Sequence, residues 1–450
     1  MWQRLFDEAG ADNHAREIVS AFNALYTMYT DDLVEWYANL YDPHIGGFYC
    51  TTSGKQNEGF LPDIESTKQA MNFLVGSGMV DHVGGDWRRA VSDDMKRGFV
   101  RFAKRMQEPN GYFYNLMKRT EEIDAHIAKR GRDLSWCTWF LSQLGASPTY
   151  DTPNGMKGDG LDIDGNPVCE KSLYSESPRH AASVNYPEYL ENKSTFLRYL
   201  HDTVDIVNKS YFYGNQLNAT YSQIKARDIA LREEGADYSL CDTLINWLNE
   251  RINPDTGYWS PLSTFAGTNG FFKVITIYNE WGYPYPMLER ATESVMEGIL
   301  GDEPSVKNSC EVYNLWSALI SAKENAMRCH IPETRDRILH FIKGTMMESG
   351  AKAIINTYKK QSGYQMPDGA FSHNVEHCLT AHQGGIQVGL GLMEGDVDAI
   401  SRGTYGITSN MFRAFGFSEV KIYGKREWRI YKEIVESAKP TLKPQTKTYR

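Results

Sequence analysis

The sequence predicts an all-α protein built from repeated helical hairpins, and three observations carry the prediction. A short turn recurs as Gly46-Gly47-Phe48-Tyr49, Asn110-Gly111-Tyr112-Phe113, Thr256-Gly257-Tyr258-Trp259 and Asp368-Gly369-Ala370-Phe371, each time after a proline (Pro43, Pro109, Pro254 or Pro367). Proline ends a helix because it lacks an amide donor and clashes with the preceding turn, glycine supplies a positive φ, and the following aromatic packs back between helices. The copies also keep a period. Gly47 and Gly111 lie 64 residues apart, and Gly257 and Gly369 lie 112 apart, close to two units of about 56 each. The 146 residues between Gly111 and Gly257 hold two units and extra chain. A unit of roughly 60 residues suits two substantial helices and their connections. Finally, strand-like alternation is scarce, and apolar residues recur at steps of three and four.

Taken in order, helices are expected over residues 15–29, 32–40, 65–75 and 86–106. The last carries Trp87, Val91, Met95, Phe99, Phe102 and Met106 on one face, the spacing of a buried helical stripe. Further helices are expected over 134–144, 191–208, 216–232, 238–251, 287–300, 310–326, 333–347, 386–392, 397–415 and 427–437. No convincing linker divides the chain, so residues 1–450 read as one domain. Residues 147–189 break the helical order: they are rich in Gly, Pro, Asp and Ser and too long for an ordinary connection, as expected of a cover over a cavity or a disordered insertion.

Composition narrows the function classes. A net charge of −9 gives no nucleic-acid footprint. Aromatics make up 12% of the chain, with 27 tyrosines, which is compatible with a ring-binding cleft, although long aromatic-rich repeats account for most of it. The N-terminus turns acidic at Asp7 and Glu8 before a signal-peptide core forms, and no later run approaches a membrane span. Seven cysteines without a paired spacing fit reduced thiols. Read as a complete chain, the sequence predicts a cytoplasmic protein with a small-molecule or oligosaccharide partner and neither nucleic acid nor membrane.

Gln107-Glu108-Pro109-Asn110-Gly111-Tyr112-Phe113 and Gln365-Met366-Pro367-Asp368-Gly369-Ala370-Phe371 resemble the Gln-x-x-Asp/Asn-Gly-x-Trp/Phe motif of terpenoid cyclases and protein prenyltransferase β-subunits, with Asn253 to Trp259 as a looser copy. The resemblance implies an α/α toroid, a barrel of about six helical hairpins around a central cavity. Six-hairpin glycosidases, polysaccharide lyases and sugar epimerases share this plan, and their turns are similar to Asp42-Pro43-His44-Ile45-Gly46-Gly47-Phe48-Tyr49. These motifs are structural corners and specify a fold better than an activity.

The chemistry of the first two families is not matched. The cyclase acid motif Asp-x-Asp-Asp has one near copy, Asp162-Ile163-Asp164-Gly165, incomplete at its fourth position. As a calcium loop, Asp162, Asp164 and Asn166 lack a closing glutamate, since Lys171 stands there. A turn built on Asp-Gly-Asn-Pro is the expectation. Prenyltransferases hold zinc through Asp, Cys and His, and no Asp-x-Cys pair stands in a matching context. His373-Asn374-Val375-Glu376-His377 matches the His-x-x-Glu-His pattern of inverted zinc peptidases, but it directly follows a corner and no downstream acidic ligand completes it. His373, His377, Cys378 and His382 as metal ligands are a weaker version. The expectation is therefore no metal and no cofactor, with His373 and His377 as polar groups or bases beside a substrate.

Acids near the corners are candidate cavity residues, because in α/α barrels the site lies where loops at one end of the inner helices converge. Asp63 and Glu65 open the 65–75 helix, where capping competes with catalysis; Asp368 sits in a Pro-Asp-Gly turn; Glu394 precedes Asp396, a good cap for the next helix. Two carboxylates facing one cavity suffice for glycoside hydrolysis. Tyr49, Tyr112, Tyr258, Trp259 and Phe371 are candidate sugar-stacking rings, with core packing as the competing role. The sequence thus favours acid/base hydrolysis of a small glycan, with Asp63, Glu65, Asp368 and Glu394 as the candidate acids, and lyase or epimerase chemistry through His373, His377 or the abundant tyrosines beside it. A toroid acting on an apolar substrate, and a non-catalytic scaffold whose acids serve only as caps, are the alternatives.

Overall fold

The computed structural model describes residues 2–117, 126–168, 186–262, 265–301 and 308–439. Its helices are α1 (Trp2–Glu8), α2 (Asn13–Tyr26), α3 (Asp31–Asn39), α4 (Thr52–Gln56), α5 (Ile64–Gly76), α6 (Asp93–Met106), α7 (Ile127–Gln143), α8 (Lys193–Asp202) and α9 (Ser210–Glu233). They continue with α10 (Leu240–Asn249), α11 (Phe265–Trp281), α12 (Leu288–Leu300), α13 (Ser309–Cys329), α14 (Pro332–Ser362), α15 (Val397–Gly403), α16 (Tyr405–Phe415) and α17 (Lys425–Ser437). Sheet is limited, among the described residues, to two small hairpins: β1 (Tyr41–Asp42) with β2 (Gly47–Phe48), and β3 (Ala381–His382) with β4 (Ile386–Gln387). The expected predominance of helix is met.

Six helices pack in a closed circuit. Helix α5 lies against α7, α7 against α9, α9 against α11, α11 against α13, α13 against α15, and α15 returns to α5. Others pack outside it: α6 on α7, α10 on α9, α12 on α11 and α13, and α14 on α13, α16 and α2. Composition separates the two sets. Outer helix α6 buries Met95, Phe99, Phe102 and Met106 and turns Asp94, Arg97 and Arg101 to solvent, a single apolar stripe. Circuit helix α11 buries Gly267, Thr268, Asn269 and Gly270 as well as Phe271, Val274, Ile275 and Tyr278. Small residues set the spacing: a Cβ at Gly131 on α7 would stand 2.3 Å from the Ala219 carbonyl oxygen of α9.

The recurring corners are short hairpins. Gln107 bridges Phe113, Gln365 bridges Phe371, and Tyr41–Asp42 pairs with Gly47–Phe48. Gly46, Gly111, Gly257 and Gly369 have φ of +86°, +80°, +76° and +82°. A neighbouring element closes on each: a Cβ would meet the Gly98 carbonyl oxygen at 2.3 Å, the Asp151 carbonyl oxygen at 2.2 Å, the Ala291 nitrogen at 2.3 Å and the Asp32 Cβ at 3.0 Å, respectively. Glycine is required at these corners both by backbone conformation and by space.

Several expected boundaries are corrected. Residues 386–392 are not a helix: Ile386 opens β4, and Gly384, Gly385 and Gly391 hold positive φ around it. The 86–106 helix begins only at Asp93, because the Ser92 hydroxyl accepts from the Met95 amide as an N-cap; Trp87–Arg89 is a separate 3-10 turn. Residues 397–415 form two helices broken at Thr404. The 333–347 helix runs on to Ser362. Helix α11 was not expected, since a helix buried nearly all round has no one-sided periodicity to read. Of the 147–189 insertion, residues 169–185 lie outside the described residues. The preceding part is irregular, and the Asp162 carboxylate accepts from the Asp164 and Asn166 amides in a turn, as expected. Among the described residues no helix is long and apolar enough to cross a membrane.

Candidate functional site

All six circuit helices contribute to one cavity of about 620 Å³. Its wall includes Glu65 and Lys68 of α5, Arg132 and Trp136 of α7, Asn215 of α9, Lys273 of α11, Cys310 of α13 and Asp398 and Arg402 of α15, with His373 and His382 from the chain between α14 and α15. The lining mixes charged groups, amides and aromatic rings.

The first cluster is built on the start of α5. Asp63 is the N-cap, its Oδ1 accepting from the Ser66 amide at 3.0 Å and its Oδ2 from the Ser66 hydroxyl at 2.5 Å. Capping fixes the first turn and so aims Glu65, two residues on, into the cavity. The β3–β4 hairpin carries His382 against both acids: its Nε2 lies 3.4 Å from Asp63 Oδ1 and 3.2 Å from the Ser66 hydroxyl, and its Nδ1 lies 3.7 Å from Glu65 Oε2. Burial pushes the His382 imidazole below its ordinary value although Asp63 and Asp398 oppose this, so the ring is neutral at pH 7. Glu65 Oε1 accepts from Arg132. Its Oε2 is buried, lies 3.9 Å from Lys129 Nζ and has no hydrogen-bond partner among the described residues.

The second cluster centres on Arg402. Its Nη1 donates to Asp398 Oδ2 at 2.6 Å and its Nη2 to Asp398 Oδ1 at 2.8 Å, one helical turn apart. Burial acts to raise the Asp398 carboxyl, but the Arg402 guanidinium holds it well below the usual carboxylate range. Arg402 Nη1 also donates to Cys310 Sγ at 2.6 Å and lies 3.5 Å from His373 Nδ1. His373 Nδ1 is 3.6 Å from both Cys310 Sγ and Asp398 Oδ2. Asp396, which caps α15 through the Ala399 amide, holds the His373 main chain by accepting its backbone amide at 2.7 Å. Burial pushes the Cys310 thiol up to about 11 and the His373 ring down.

Two chemistries suggested by these residue types can be weighed. A Cys–His–Asp relay needs the thiol on one ring nitrogen and the carboxylate on the other; here both face Nδ1, so His373 cannot relay between them. Cys310, His373 and Asp398 have donor atoms within 4.8 Å of one another, as do Glu65, His382 and Asp398, and the first set is of the kind zinc accepts. Arg402 Nη1 occupies the centre of that set and neutralises Asp398. A metal ion there would have to displace a guanidinium that makes two bonds to the carboxylate.

Among the sequence candidates, Glu65 and His373 line the cavity, and Asp63 stands directly behind His382. Asp368 stays in its corner, accepting from the Ala370 and Gly395 amides. Glu394 turns to the Ser53 amide and the Cys378 thiol. His377 is exposed, in non-helical chain, with its Nδ1 2.9 Å from the Cys378 carbonyl, so the His-x-x-Glu-His pattern brings no second histidine beside His373. Tyr49, Tyr112, Tyr258, Trp259 and Phe371 are all buried, and none is part of the cavity wall. The Tyr112 hydroxyl donates to Gln223, Trp259 Nε1 to the Leu248 carbonyl, and Tyr49 to Asp42. The rings that do line the cavity, Trp136, Trp139, Phe272 and Tyr405 among them, lie away from the corners.

Sequence reasoning missed Arg132, Lys273, Cys310 and Arg402, and it raised His382 only in passing. The one local signal was the four-residue spacing of Asp398 and Arg402. Comparison with protein-family models, curated proteins and solved structures finds no significant match for the chain.

Proposed function

We propose that the closed circuit of six helices is the inner ring of an α/α toroid, and that the chain is an enzyme performing acid/base chemistry on a small carbohydrate in its central cavity. One observation carries the reading: Glu65, buried in the cavity wall, presents an oxygen with no hydrogen-bond partner among the described residues and has a second carboxylate, Asp398, with an oxygen within 4.8 Å of its own. A scaffold whose acids only cap helices has no use for that arrangement, and an apolar substrate would find Glu65, Arg132, Lys273 and Asp398 around it. Aromatic rings interleaved with amides and charges suit a sugar, which has apolar ring faces and polar edges.

On this reading Glu65 works in its protonated form: it gives that proton to the glycosidic oxygen as ionised Asp398 bonds to the sugar carbon and the leaving oxygen departs, and it takes a proton back from the water that then cleaves the Asp398 ester. The short carboxylate separation fits the double-displacement geometry, in which the groups stand about 5–5.5 Å apart, better than the single-displacement one at about 6.5–9.5 Å. Free thiols at Cys50, Cys137, Cys241, Cys310, Cys329 and Cys378 suit a reducing compartment.

A second reading rests on the two neutral imidazoles, His373 and His382, which line the same cavity and suit proton removal and return at a sugar carbon, as in epimerisation or elimination. Incubation of small oligosaccharides and monosaccharides in deuterated water, followed by NMR, separates the two. Hydrolysis yields new reducing ends without carbon-bound deuterium; epimerisation places deuterium on carbon. Failure to transform any sugar at substrate-level enzyme would contradict both.

A further inference from the structure

The charged side chains that line the cavity do not cancel. Glu65 is paired with Arg132 and Asp398 with Arg402, so even with both acids ionised these four groups are only neutral overall, and two lysines remain. Lys273 on α11 faces the cavity with no ion pair or hydrogen bond through its ammonium to a described residue; its nearest ring is the adjacent Phe272, 4.7 Å away. Lys68, on α5, places its ammonium against two neutral groups among the described residues, the Asn72 side chain and the Trp139 ring at 3.9 Å. Burial, reinforced by Arg132 and Arg402, pushes Lys273 down to about 8, and burial alone takes Lys68 to about 8. Both are protonated at pH 7. An enclosed ammonium without a counter-charge costs stability, and a lysine that merely coats a surface avoids the cost by keeping its head in water.

The rest of the wall indicates what completes the site. Asn215, Asn218 and Asn314 line the cavity with Trp136 and Trp139, and Asn308 Oδ1 is a buried acceptor without a partner among the described residues. These groups suit hydroxyls and ring faces, which leaves the unmatched ammonium for an oxyanion.

We propose that the sugar bound here carries an anionic group, a carboxylate or a phosphate, and that Lys273 holds it. The inference rests on the carbohydrate reading above and adds the substrate class. Lys68, facing Trp139, sets a second positive pole for a longer or doubly charged ligand.

Calorimetric titration of the purified chain tests this with matched pairs: glucuronate against glucuronamide, glucose 6-phosphate against glucose, and inorganic phosphate alone. The expected result is a preference of roughly tenfold or more for the charged member of at least one pair, weakened by added salt, abolished in Lys273→Met and retained in Lys273→Arg. Which pair responds identifies carboxylate or phosphate. Equal binding of charged and neutral sugars, or an unaltered preference in Lys273→Met with its fold verified by melting, overturns the inference while leaving the carbohydrate reading intact. If only free phosphate binds, and through Lys273, the anion assignment stands and the carbohydrate reading fails. If no anion binds, the inference is overturned.

Discussion

Asp398 and Arg402, one turn apart on α15, form a two-bonded ion pair in the cavity wall, and the same guanidinium donates to Cys310 on α13. One side chain thus ties two members of the helix circuit together and holds a carboxylate ionised where burial alone would neutralise it.

Replacing Asp398 with Asn leaves that guanidinium enclosed without its counter-charge, at an expected cost of about 3–5 kcal/mol. The sign of the pH dependence follows from the depressed carboxyl: its stabilisation is fully present above the unfolded-state value of about 4 and is lost as pH falls toward the folded one. Denaturant melts should therefore find the gap between wild type and Asp398→Asn widest at pH 7 and shrinking in acid. A gap that does not change with pH would mean that the carboxylate charge contributes nothing.

Lysines enclosed without a partner behave in the opposite way. A lysine whose folded value is lowered costs stability below that value and is relieved as pH rises toward its unfolded value of about 10.4. Lys273→Met is expected to stabilise the protein at pH 7 by roughly 1–3 kcal/mol, read as a Tm a few degrees higher, with the gain fading above pH 8. A lower Tm would show that Lys273 has a structural partner.

The corner glycines make a separate claim about the fold. Valine at Gly111 must take a positive φ and drive its Cβ into the Asp151 carbonyl, and roughly 2–4 kcal/mol should be lost. Gly10 has φ +102° with nothing within 4 Å, so Gly10→Ala costs only the conformational strain, about 1–2 kcal/mol. Equal effects at the two positions would remove the packing part of the corner argument.

Cys310 gives a chemical handle on the cavity. With its thiol pushed up to about 11 by burial, alkylation at pH 8 should be slow compared with a small-molecule thiol near 8.5 and should accelerate only toward pH 11. A ligand in the cavity should slow it further. Rapid alkylation at neutral pH, read by peptide mass spectrometry, would indicate a thiolate stabilised by Arg402 and reopen a nucleophilic role.

How far the sequence could be read follows from which forces act locally. The corners were legible because proline, glycine and an Asx side chain encode their own turn: Asn110 accepts from the Tyr112 amide, and Asp368 from the Ala370 amide. Asp63 and Glu65 were legible for the same reason, a cap and its first turn. The surroundings of Glu65 were not, because His382, which stands against it, comes from more than three hundred residues away. Glu394 and Asp396 look alike in sequence; only the tertiary structure sends one to Ser53 and the other to His373. Arg132, Lys273 and Cys310 stand on circuit helices buried on several sides, where an inward polar residue leaves no trace in the periodicity. The aromatics beside the corners stood out in sequence because they pack the hairpins, and the rings facing the cavity did not.

The most direct test is the kinetics of Glu65→Gln on whichever sugar the wild-type enzyme transforms, with binding measured in parallel. The account predicts that kcat falls by roughly 10²–10⁴ while ligand affinity changes little, because glutamine keeps the size and an acceptor for Arg132; Tm falls as well, since Arg132 loses its counter-charge. Turnover within a few-fold of wild type would contradict it and remove Glu65, and with it the central cavity's acid/base role.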